Sequence, residues 1–87
     1  MQRDSAQRVP EWEEVAATAC AVQNMWLAAT AHGIGAYWSS PKAIESASSL
    51  LNLSAGERCL GFFFMGYFDG PAPEGKRQPI ENKVEWL

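Results

Sequence analysis

The chain has 87 residues, of which 47% are hydrophobic and 20% are charged, and its net charge is −3. This balance predicts one small globular domain and excludes simple disorder. An acidic chain with only seven basic residues lacks the positive surface that nucleic-acid binding requires. Two cysteines and one histidine are too few for a disulfide scaffold or an all-protein metal site.

The start of the chain is polar, and residues 1–8 are predicted to form a flexible lead-in. Because no apolar stretch opens the sequence, we expect no signal peptide, a cytoplasmic location and two free thiols. Aromatic residues make up 11% of this short chain. So much apolar surface on so small a domain predicts a homodimer or a higher homo-oligomer.

A long helix is predicted to begin at Pro10 and to stop at Gly33. Proline suits the first turn of a helix, and glutamates follow it at the positive end of the helix dipole. Glycine is typical of the position just past the last turn. One stripe at helical spacing is apolar: Val15, Ala19, Val22, Trp26 and Ala29. Because the neighbouring positions are also apolar, we expect a buried central helix.

An uncharged stretch extends from residue 15 to residue 41 and makes a membrane-associated protein the last of the alternatives. Gln23, Asn24 and His32 lie within it, and Gly33 interrupts it before a full span is complete. Much of the stretch is alanine, which gains little in lipid. These features favour a core helix and no membrane.

A short strand and a second helix are predicted next. Residues 36–38 are apolar and aromatic, which favours an extended segment. Ser40 suits the N-cap of a helix that runs from Pro41 to about Leu51.

The C-terminal third contains two predicted strands around a loop. Residues 59–68 form a continuous apolar run, typical of a central strand covered on both faces. Gly61 and Gly66 within it mark places where another backbone or a ligand comes close. Residues 69–79 are rich in proline and glycine and predict a loop. Residues 80–87 alternate apolar and polar, which predicts a terminal strand that needs a partner edge, in this chain or in another copy.

Several motifs, in this order, resemble the second half of FMN-dependent nitroreductase-family proteins. They are residues 19–25 (ACAVQNM), 33–35 (GIG), 38–40 (WSS), 65–67 (MGY) and 76–79 (KRQP). The resemblance implies an α+β fold in which a long buried helix and a short helix pack on a small β-sheet. It also implies a homodimer that exchanges its C-terminal strand. Family members are longer, and the Arg/Ser-rich motif that opens them has no counterpart here, so we expect residues 1–87 to be a single partial nitroreductase-like domain.

The same resemblance implies an FMN site and an NAD(P)H reductant. Residues matching Trp38, Ser39 and Ser40 run beside the flavin ring in the family, and the basic pair matching Lys76 and Arg77 lies near the FMN phosphate. A small molecule, such as a nitroaromatic or a quinone, is the electron acceptor. No catalytic side chain and no metal ligand is expected, because the flavin carries the chemistry.

The residues by themselves also admit simpler roles. Ser40 is then only a helix cap, Trp38 is only a core side chain, and Lys76 and Arg77 are a solvated pair near two glutamates. We expect an FMN-dependent NAD(P)H oxidoreductase that holds only part of the flavin site and is truncated. The alternative is a non-catalytic, homo-oligomeric assembly module that binds no flavin.

Overall fold

The computed structural model describes all residues, Met1–Leu87. In chain order the elements are helix α1 (Glu11–Ala31), strand β1 (Gly35–Ser39), a 3₁₀ turn (Lys42–Ser46) that continues into helix α2 (Ala47–Leu50), strand β2 (Phe62–Gly66) and a last 3₁₀ turn (Ile80–Asn82). The two strands pair antiparallel, with Gly35 opposite Gly66 and Ser39 opposite Phe62. The predicted α+β class is confirmed.

Helix α1 begins and ends where its sequence predicts. Pro10 is its N-cap residue, and Glu11, Glu13 and Glu14 occupy the first turn. His32 is the C-cap, and Gly33 follows with φ +70°. That left-handed conformation is strained for any residue with a Cβ atom, so glycine is the natural residue there.

One stripe of α1 rests on the sheet. The predicted stripe is half-buried or, at Ala29, buried. Trp26 meets Phe63 of β2 edge to face, with ring centroids 5.8 Å apart. The other sides of α1, including Cys20 and Leu27, are exposed. The expectation of a helix buried on every side is not confirmed, because a two-stranded sheet covers only one side of it.

The N-terminal segment, predicted to be a flexible lead-in, makes specific contacts with the rest of the chain. Gln2 forms an isolated antiparallel bridge with Glu57, and the backbone N–H of Arg3 donates to the carbonyl of Gly56 at 2.7 Å. The Arg3 guanidinium pairs with the carboxylates of Glu11, at 2.9 Å, and Glu14. These contacts join residues far apart in sequence, so local composition does not reveal them.

Replacing Glu14 by alanine tests this anchor. The Glu14 carboxylate is largely buried and accepts hydrogen bonds from the Arg3 guanidinium and from the backbone N–H of Asp4, at 2.6 Å. Because Glu14→Ala leaves two donors unpaired, we expect the free energy of unfolding to fall by roughly 1–2 kcal/mol. Glu13→Ala is the control, since Glu13 is exposed in the same helical turn and forms no ion pair. Equal losses in thermal denaturation would show that only the helix dipole is affected.

Asp4 organises the turn that leads into α1. Its carboxylate accepts from the Arg8 guanidinium at 2.8 Å and from the backbone N–H groups of Ala6 and Arg8. The Arg8 side chain first, and then these N–H groups, hold the pKa of Asp4 below its ordinary value. Ionised Asp4 therefore stabilises the fold above its ordinary pKa, and this contribution is lost as the pH falls through the lowered one.

After β1 the chain differs from prediction in three places. The helix expected from Pro41 to about Leu51 is a 3₁₀ turn, Lys42–Ser46, followed by four α-helical residues, Ala47–Leu50. Strand β2 pairs only with β1, and Phe64 on its outer face is exposed, so the predicted cover on both faces is absent from the single chain. Residues 80–87 hold a 3₁₀ turn at Ile80–Asn82 and no strand. A strand requires a paired edge, and within this chain residues 80–87 pair with none. Residues 69–79 hold no helix or strand.

The chain has a larger accessible surface and a larger radius of gyration than a compact monomer of its mass, 9.6 kDa. Its accessible surface is 7601 Å² and its radius of gyration is 16.7 Å. A folded monomer of this size has a surface of about 5,100 Å² and a radius of about 12 Å. Only Ala29 and Ala47 are buried. No helix combines the length and the apolar content needed to cross a membrane.

Candidate functional site

The predicted Trp38–Ser40 segment forms the end of β1 and the residue after it. Trp38 and Ser39 are half-buried and lie opposite Phe63 and Phe62 of β2. Ser40 is exposed and donates its hydroxyl to the carbonyl of Leu60 at 3.4 Å. The turn after it begins with Pro41 as N-cap and no side-chain cap, so the capping role considered for Ser40 is not observed.

Gly61 lies against this segment. It has φ +145°, and a Cβ atom built on it would overlap the Trp38 indole nitrogen and lie 2.8 Å from the Ser39 carbonyl oxygen. The prediction that another backbone comes close at Gly61 is confirmed. At Gly66 no protein atom lies within 4 Å of a built Cβ, so no other backbone comes close there, and the approach of a ligand stays a prediction.

Trp38 also lines an apolar cavity of about 320 Å³ between α1 and the segment before β2. Val22, Met25 and Phe63 contribute to its wall, and Met1 and Arg58 line it as well. Arg58 pairs with Glu11 at the start of α1. The contacts of the N-terminal segment therefore lie next to Trp38, in the wall of the same cavity.

A second cleft, of about 790 Å³, opens at the other end of the strand pair. Its walls are apolar or aromatic and carry no charged side chain: Trp26, Thr30, Gly33, Ile34, Gly35, Ala36, Tyr37, Phe64, Met65, Gly66, Tyr67, Phe68, Ala72 and Pro73. Tyr37 and Phe64 stack here with ring centroids 5.0 Å apart and planes at 20°. They are 56% and 46% exposed, so a flat aromatic surface faces the solvent. No sequence motif marked this surface, although the alternation of β1 and β2 places both rings on one face.

Lys76 and Arg77 lie in the loop of residues 69–79 and are exposed. Neither forms an ion pair within the chain, since all four ion pairs involve residues up to Arg58. Neither lines the two cavities described above, and no hydrogen bond joins them to Trp38–Ser40. No hydrogen bond or ion pair of the single chain thus joins the two parts of the predicted cofactor site.

The other polar and sulfur-containing side chains that could take part in chemistry are exposed or form no cluster. His32 caps the C-terminus of α1 and is exposed, as are Gln23 and Asn24. Cys20 and Cys59 are free thiols. No three His, Cys, Asp or Glu side chains are grouped as metal ligands.

Comparison with known proteins identifies the family of this chain. The sequence model of the nitroreductase family matches residues 1–67, which is well over half of the chain and includes α1, both strands and Trp38–Ser40. The chain belongs to the nitroreductase family. Searches of curated proteins and of solved structures found no match. Nitroreductase-family proteins generally use flavin cofactors and are commonly homodimers, and the family indicates an oxidoreductase function.

Proposed function

We propose that this nitroreductase-family chain is part of an FMN-dependent oxidoreductase that takes electrons from NAD(P)H and delivers them to a small aromatic acceptor. The family match over residues 1–67 is the observation that carries the proposal. Trp38, Ser39 and Ser40 are proposed to lie beside the flavin ring, and Lys76 and Arg77 to hold the FMN phosphate.

The chemistry of these residues fits FMN. Lys76 and Arg77 are exposed cations without an internal partner, so they are free to pair with a phosphate. Strand β1 pairs on one side only, which leaves alternate backbone N–H groups on its other edge open. Donors of this kind match the polar edge of a flavin ring, and the adjoining Trp38 indole supplies an apolar contact.

In the proposed mechanism the protein positions the cofactor. Bound FMN supplies the electron transfer between NAD(P)H and the acceptor. Arg77 would hold the phosphate by charge-assisted hydrogen bonds, and Lys76 would add a second positive charge. Open N–H groups of the Trp38–Ser40 backbone would donate to the bound ring. The pairing of β1 with β2 would keep Trp38 and Ser39 in place for this role. No titrating side chain is required for this role.

The direct test is a titration of FMN with the protein, followed by the quenching of flavin fluorescence. Arg77→Ala removes a charge-assisted hydrogen bond worth roughly 1.5–3 kcal/mol, so we expect about tenfold weaker binding or more. Lys83→Ala is the control, because Lys83 is another exposed cation without an ion pair. Unchanged flavin fluorescence at saturating wild-type protein would contradict the proposal. Equal effects of the two substitutions would place the phosphate elsewhere.

A homodimer is proposed as the form that assembles the site. One support is that no hydrogen bond or ion pair of the single chain joins Trp38–Ser40 to Lys76 and Arg77. The other is a surface roughly 2,500 Å² larger than a monomer of this mass exposes. Two such chains contribute enough area for an obligate dimer. In this arrangement residues 80–87 form a strand on the sheet of the second copy.

The same exposed surface also favours the second candidate, an assembly module without flavin. Large apolar side chains are exposed on α1, on both strands and in the C-terminal segment. Surface of this extent marks an interaction site whether or not a cofactor binds. A dimer that leaves FMN fluorescence unchanged would identify the assembly module.

A further inference from the structure

The segment that enters β2, Cys59–Gly61, contacts all three residues of Trp38–Ser40. Gly61 lies against the Trp38 indole and the Ser39 carbonyl, at distances that leave no room for a Cβ atom. Leu60 accepts the Ser40 hydroxyl through its carbonyl, at 3.4 Å. Trp38 and Ser39 are paired in the sheet ladder, whereas Ser40 and Gly61 lie just beyond its last pair, Ser39 with Phe62.

The Cys59–Gly61 segment is itself held from the other side. Arg58, the residue before it, donates its backbone N–H to the carbonyl of Met1 at 2.8 Å and pairs through its guanidinium with Glu11 of α1. The Cys59 thiol lies 3.6 Å from the Gly61 carbonyl. The segment is therefore fixed to the start of α1 and contacts the end of β1.

We propose that Gly61 is a positioning residue for the flavin-facing segment. With φ +145° and no side chain, it allows the Trp38 indole and the Ser39 peptide to lie directly on the backbone of the Cys59–Gly61 segment. A larger residue displaces both groups, and with them the backbone donors at the end of β1. The inference rests on the proposed function, because that function places Trp38–Ser40 beside FMN.

Gly61→Ala tests the proposal, with Gly56→Ala as its control. Displacing the backbone donors at the end of β1 removes their hydrogen bonds to FMN, so we expect FMN affinity to fall by about tenfold or more in Gly61→Ala. Gly56→Ala leaves affinity unchanged, since a Cβ there meets no atom within 4 Å and its φ is not positive. The second readout is the NMR resonance of the Trp38 indole N–H, which shifts in Gly61→Ala and not in Gly56→Ala.

Trp38→Phe provides the rescue. Phenylalanine lacks the indole ring atoms that lie against Gly61, so Gly61→Ala is better tolerated in the Trp38→Phe background than in the wild type. Gly61→Ala is therefore expected to lower the thermal midpoint less in the Trp38→Phe background than in the wild type. If Gly61→Ala alone does not fold, we expect the double variant to fold. Rescue is partial, because the Ser39 carbonyl remains 2.8 Å from the new Cβ.

These outcomes separate the positioning role from the proposed function. Wild-type protein that does not bind FMN contradicts the function, while the indole resonance and the rescue still report on the contact. Folded Gly61→Ala with an unchanged indole resonance overturns the positioning role, as does an effect of equal size in both Trp38 backgrounds. A shifted resonance with unchanged FMN affinity also overturns it, because the contact then has no effect on the cofactor.

Discussion

Phe63→Ala is expected to lower the free energy of unfolding by about 3 kcal/mol, and Phe64→Ala by about 1 kcal/mol. The two rings are neighbours in β2 but lie on opposite faces of the sheet. Phe63 is half-buried, meets Trp26 of α1 edge to face at 5.8 Å and lines the smaller cavity. Phe64 is 46% exposed and contacts Tyr37 on the open face. Urea denaturation followed by circular dichroism measures both changes.

Protein concentration supplies the control for this comparison. Phe63 packs within one chain, so its loss is expected to be the same at every concentration. If a second copy covers the open face, the loss in Phe64→Ala grows with concentration, because association stabilises the folded chain by mass action. Equal losses for the two variants at low concentration would show that α1 does not rest on the Phe63 face.

Local pattern was sufficient for α1, β1 and β2. The stripe from Val15 to Ala29 follows the helical period, and these residues are half-buried or buried. Gly33 takes the left-handed conformation that ends a helix. The strand positions follow from short aromatic runs next to glycines, so the existence of β1 and β2 was predictable although their bounds were not.

Contacts between distant residues were not predictable. The pairing of Arg3 with Glu11 and Glu14 depends on how the chain turns before α1, which composition does not encode. For the candidate site, the glycine at 61 signalled a close approach, but only the structure identifies Trp38 and Ser39 as its neighbours. Lys76 and Arg77 stay a prediction from family resemblance, since no hydrogen bond and neither described cavity joins them to Trp38.

We predicted burial of α1, β2 and residues 80–87 from their apolar residues. An apolar face indicates that burial is needed, but it does not indicate whether this chain or another one buries it. The single chain leaves these faces open, with Phe64 and Trp86 among the exposed side chains. The predicted C-terminal strand and the predicted buried helix therefore both require contact with another polypeptide chain.

The second large effect is expected on association. We expect the protein to sediment as a dimer, and deletion of residues 80–87 to weaken dimerisation by about a hundredfold or more. The segment carries Trp86, which is 82% exposed, together with Ile80 and Leu87. A buried tryptophan at an interface contributes about 2 kcal/mol or more, and a strand added to an open sheet edge contributes backbone hydrogen bonds as well. Analytical ultracentrifugation over a range of concentrations measures the change.

Trp86→Ala and Trp12→Ala form the matched pair for this experiment. Trp12 is also exposed, at 68%, but lies in the first turn of α1, far along the chain from residues 80–87. If the C-terminal segment pairs with the sheet of a second copy, Trp86→Ala weakens the dimer and Trp12→Ala does not. The reverse result would place the interface at the start of α1 and remove the reason for residues 80–87 to become a strand. A dimer unaffected by either substitution would contradict the proposal that residues 80–87 pair with the sheet of a second copy. The apolar face of that segment would then have no role in the interface.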